Sequence, residues 1–90
     1  MTSGSDTENI CHVLSIYDGL TEDLVDVIEI PTFSLERFAA QFDVSLESDP
    51  QMLDRYAVGP DDAHFVLQAI GRSVDLDFSR FGYFIEAARR

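Results

Sequence analysis

From Ile10 to Tyr17 the side chains sort with a period of two, Ile10, His12, Leu14 and Ile16 on one side and Cys11, Val13, Ser15 and Tyr17 on the other. That period belongs to a β-strand. Asp18-Gly19 then supplies turn chemistry, and a second run rich in β-branched residues extends from Leu24 to Ile30 and stops at Pro31. Two such runs joined by a short loop predict an antiparallel hairpin. In the second run Leu24, Asp26, Ile28 and Ile30 share one face, while Val25, Val27 and Glu29 share the other. Acids therefore leave on both faces, as suits a strand with one side only partly covered.

The period lengthens at Phe33. Leu35, Phe38, Ala39 and Phe42 follow the spacing of an amphipathic helix. Ser34 is placed to cap it, and Phe33 to pack on Phe38 as a hydrophobic staple. The stretch from Asp43 to Asp54 is polar and broken by Asp49-Pro50, which predicts a loop; Tyr56-Ala57-Val58 suffices for a short strand. Gly59-Pro60-Asp61-Asp62 opens a second helix, with proline and two acids in its first turn. Ala63, Val66, Leu67 and Ile70 form its stripe, and Gly71 its stop. Asp75 to Phe78 alternates like a strand entry. Tyr83 to Ala88 fits strand or helix, and Gly82 favours the strand. The order β-β-α-β-α-β predicts an α+β fold, a small antiparallel or mixed sheet with two helices packed on one face. Residues 1–9 are expected to be a flexible acidic tail and residues 10–90 a single domain.

Charge changes this picture more than composition does. Seventeen acids face six arginines and no lysine, for a net charge of -11 on 90 residues. A small domain needs a magnitude of only roughly 2–8 for solubility. The first thirty-six residues hold Asp6, Glu8, Asp18, Glu22, Asp23, Asp26, Glu29 and Glu36, and the first cation is Arg37. Such a field steers a basic partner and disfavours nucleic acid and anionic membrane as ligands. The arginines fall in the helices, the loop and the C-terminal segment, so a dipolar molecule is expected, acidic at its hairpin.

Catalytic chemistry finds little support. His12 adjoins Cys11, but strand neighbours point to opposite faces. His64 has only Asp61 near it at helical spacing, and the sequence has no CxxC, HxxxH, calcium loop, GxSxG elbow or phosphate-binding glycine loop. No enzyme activity, metal or cofactor is expected. One cysteine and no secretory signal or membrane span suggest a reducing cytoplasm.

Tyr17-Asp18, Val27-Ile28-Glu29-Ile30-Pro31 and Ser34-Leu35-Glu36-x-Phe38 together resemble the pattern of a family of small, uncharacterised bacterial proteins. Asp54-x-Tyr56-x-Val58 and Phe81-x-Tyr83-Phe84-Ile85-Glu86 continue the resemblance. Such proteins are similar in size and charge to immunity proteins of polymorphic toxin systems. The resemblance implies a cytoplasmic antitoxin that blocks a cognate toxin domain with a basic surface. On charge and aromatic content, the expected contacts are Tyr17, Asp18, Glu22, Asp23, Asp26 and Glu29, with Asp54, Tyr56, Asp61 and Asp62 as a second group. The alternative is an acidic regulatory or scaffold module, or a DNA mimic. Oligomeric state is left open.

Overall fold

A computed structural model describes residues 10–89. The chain runs β1 (Ile10–Asp18), β2 (Leu24–Glu29), α1 (Leu35–Gln41), β3 (Tyr56–Val58), a 3-10 turn (Pro60–Asp62), α2 (Ala63–Ile70) and β4 (Phe81–Arg89). The four strands form one sheet in the order β2-β1-β4-β3, and every neighbouring pair is antiparallel. The tail expected over residues 1–9 lies outside the described residues.

The first and last strands, β1 and β4, meet at the centre of the sheet. All nine residues of β1 pair with β4, from Ile10 opposite Arg89 to Asp18 opposite Phe81. One face carries the core: Leu14, Ile28, Tyr83, Ile85 and Val58 from the strands, with Phe38 and Ala39 of α1 and Val66 and Ile70 of α2. Both helices therefore cover the same face, as the α+β reading requires.

The start of α1 follows its sequence signals. Ser34 Oγ accepts from the Arg37 N–H at 3.4 Å, and the Phe33 and Phe38 rings lie 4.5 Å apart as a staple. Gly71 ends α2 in the left-handed region at φ 86°, where glycine carries no Cβ penalty, and its N–H donates to the Leu67 carbonyl.

Three segments depart from the pattern. The polar stretch 43–54 is no surface excursion, because Met52 is fully buried at φ 50° and Val44 and Leu46 pack against the core it belongs to. His12 holds this loop to the sheet: its ring stacks on Phe33 at 3.8 Å, and Nε2 lies 3.2 and 3.0 Å from the Gln51 and Met52 carbonyls. Carbonyls only accept, so Nε2 carries the proton. Residues 75–78 enter no strand. Val74, Leu76 and Phe78 pack on the core, and Asp77 closes a turn into β4 by accepting from Ser79. The third departure is a β-bulge. Pairing jumps from Asp26 opposite Ile16 to Leu24 opposite Tyr17, leaving Val25 as the extra residue. Leu24 therefore leaves the face shared by Asp26, Ile28 and Ile30.

Candidate interaction surface

The opposite face of the sheet has neither helix packed on it. Its side chains are ordered by register: Leu24, Tyr17 and Gly82 in one row, Val27, Ser15, Phe84 and Ala57 in the next, and Glu29, Val13 and Glu86 in a third. Arg55 just precedes β3 and reaches this surface. Its guanidinium lies 4.7 Å from the Tyr17 ring centroid and 4.1 Å from that of Phe84, and its Nε is 3.1 Å from Glu86 Oε2. The Tyr17 hydroxyl donates to the same Glu86 oxygen at 2.8 Å, and the Tyr17 and Phe84 rings meet edge to face. That bond, with Glu86's charge, raises the Tyr17 pKa above its ordinary value. In the middle of this face, Ser15 is only 2% exposed.

The hairpin turn continues the surface. Asp18 Oδ1 accepts from the N–H groups of Leu20 and Thr21, which lowers its pKa, and the Glu22 N–H returns to the Asp18 carbonyl. Glu22 ends that turn at φ 64°. Gly19 lies so near the 77–80 turn that a Cβ would stand 2.8 Å from the Arg80 carbonyl oxygen. The apex is left to Leu20, which is 95% exposed and flanked by Asp18, Glu22 and Asp23. Leu24, Val25 and Val27 are exposed beside it on β2. Apolar side chains inside an acidic surround are the composition of a protein-binding patch.

Of the expected contacts, Tyr17, Asp18, Glu22 and Asp23 share this end of the molecule. Asp26 and Glu29 lie along the exposed edge of β2. Asp26 has a local task as well: its Oδ1 accepts from the Val27 N–H at 2.8 Å. The Ile30 N–H points inward to the His12 carbonyl. By antiparallel alternation, the Val27 N–H points outward, to the free edge.

The second group is not gathered with the first. Asp54 accepts from the Arg55 N–H, and the Tyr56 hydroxyl donates to Asp49 Oδ2 at 2.5 Å while its ring packs on the core. Asp49 also accepts from Leu53 and Asp54, so it organises the loop. This hydrogen bond pushes Tyr56 up to about 12 and holds Asp49 below the usual carboxylate range. Asp62 accepts from Gly59 and Gln41, one at each oxygen, and Asp61 is exposed beside it. These acids shape loops and helix starts. The expected dipole is also weaker than sequence position implies, since Arg55 packs on the hairpin's own tyrosine and Arg80 over Phe81, beside Asp18.

Leu20, Arg55, Phe84 and Glu86 join the surface beyond the expected set. A leucine at the apex of an Asp-Gly turn is a signal readable in sequence, whereas the other three depend on the register of β4.

Among the described residues, no group of three or more His, Cys, Asp or Glu could hold a metal, and every buried side-chain nitrogen or oxygen has a partner. His12 is spent on backbone carbonyls, and His64 is exposed. No described helix is long and apolar enough to cross a membrane.

Fold and surface together define a small α+β domain with one covered and one open sheet face. Residues 11–86 match a domain of unknown function, DUF7683, and the chain belongs to that family. No curated protein and no solved structure matches it.

Proposed function

We propose that this chain is an immunity protein, a non-enzymatic antitoxin that binds a cognate toxin domain with a basic surface and neutralises it in the cytoplasm. The observation that carries the reading is the hairpin end, where the exposed Leu20 stands among Asp18, Glu22 and Asp23 beside the open sheet face. Acids there speed encounter with a basic surface and disfavour wrong partners, while the leucine and the Tyr17–Phe84 pair supply contact area. A binding role also accounts for a charge of -11, which works against the compact state.

The test is co-expression with the product of the adjacent gene. That product alone should arrest growth, and this chain should restore it by forming a 1:1 complex. Leu20→Asp should leave the fold intact and weaken the complex by at least about tenfold, as expected for a central apolar contact. A harmless neighbour, or one that kills equally well in the presence of this chain, overturns the proposal.

A further inference from the structure

Gly82 lies at the hairpin end of the surface, opposite Tyr17, and nothing in the fold requires a glycine there. It lies inside a central strand, where glycine weakens the sheet and often marks a place that another group approaches closely. Its φ is not in the left-handed region, and a Cβ there would make only ordinary contact, 3.5 Å from the Phe84 ring. The missing side chain does have a consequence. Gly82 pairs with Tyr17, and the gap forms the floor of an open cleft of about 430 Å³. Tyr17 and Phe84 wall it, and Asp18 and Glu22 stand at its acidic side.

Arg55 also lines the cleft, and it reports what these walls accept. Its guanidinium lies over both rings while Glu86 balances its charge. Aromatic faces and carboxylates together suit a planar, weakly hydrated guanidinium better than a compact ammonium. Glu86 balances Arg55 and Arg80 stands beside Asp18, so Glu22 leaves this group of charges one unit negative.

We infer that this cleft is a docking site for an arginine side chain of a basic protein partner, which enters over Gly82 against the Tyr17 and Phe84 rings with its charge toward Asp18 and Glu22. The inference deepens the proposed function, because it names the group through which the partner is recognised. It also stands apart from toxin neutralisation, because arginine selectivity can be measured without any toxin.

The experiment titrates the 90-residue chain with hexa-arginine and, separately, hexa-lysine, following backbone amide shifts. Hexa-arginine should bind about two- to fivefold more tightly, the preference expected of an exposed cation–π contact, with the largest shifts at Tyr17, Glu22, Gly82 and Phe84. Gly82→Val fills the floor and suits a strand. It should keep or raise the melting temperature and reduce the arginine affinity to that of lysine. Equal affinities in the natural chain overturn the inference, as does a folded Gly82→Val chain that keeps the preference. An arginine preference without growth rescue sustains the cleft and rejects the immunity reading; rescue without the preference does the reverse.

Discussion

The two faces of the sheet use the same strands for opposite ends. On the covered face Leu14, Ile28, Tyr83 and Ile85 disappear beneath two helices and a loop. On the open face Tyr17, Phe84, Arg55 and Glu86 cover the sheet with their own side chains and leave Val25 and Val27 in water. An antiparallel sheet tolerates that asymmetry, since one of its faces may be solvated. The comparison separates what holds the chain together from what the chain can offer to another molecule.

The sharpest way to break the comparison is to hollow the covered face. Phe38 is almost fully buried and its ring meets those of Phe33, Phe42 and Phe65. Phe38→Ala should cost about 3–5 kcal/mol, much of the roughly 5–15 kcal/mol available to a small domain. Urea unfolding should show a large drop in midpoint; a loss below about 1 kcal/mol would mean that the core lies elsewhere.

Cutting the open face should cost less. Arg55 is 53% exposed, so removing its two ring contacts and its ion pair should cost only about 1 kcal/mol. Arg55→Ala should shift the Tyr17 and Phe84 ring signals while leaving those of Phe38 and Phe65 in place. If the covered face responds as strongly, the two faces are coupled rather than separate.

A third effect appears only at the extremes of pH. Tyr56 ordinarily titrates near 10 and is pushed up to about 12 in the fold. A raised folded pKa favours the protonated form, so this contribution is complete below pH 10 and is lost as pH rises toward about 12. For Asp49 the sign is opposite: its folded pKa lies below 3.8, so its contribution holds above that value and fades as pH falls through the lowered one. Tyr56→Phe should flatten the alkaline limb of a stability–pH profile and weaken the acid protection from Asp49. Profiles that coincide with the natural chain's would remove the Tyr56–Asp49 bond from the account.

Most of the covered face is legible in the sequence. The period of two in β1, the staple at Phe33 and Phe38, and the glycine stop at Gly71 are local signals, and the structure honours each. Met52 is not legible, because a left-handed methionine in a polar loop has no periodic neighbours, and the His12 ring that docks the loop lies 40 residues away. The bulge at Val25 is equally hidden, since it exists only relative to β1.

Half of the open face can be read from charge, which concentrates on the hairpin. The remainder needs the pairing of β1 with β4, which sets the Tyr17 hydroxyl against a carboxylate 69 residues later. Position in the chain also misplaces the cations. Arg55 and Arg80 stand far from the hairpin in sequence and next to it in space.

The carboxylate of Asp26 on the Val27 N–H carries one more implication. Any strand can zip onto a bare sheet edge, because main chain looks alike in every protein. At Val27 that generic handle is already taken, and the opposite edge strand, β3, is only three residues long. Recognition is thereby shifted from backbone to side chains, which one substitution can rewrite. A surface of that kind can diverge quickly, so two copies with the same fold could come to refuse each other's partners.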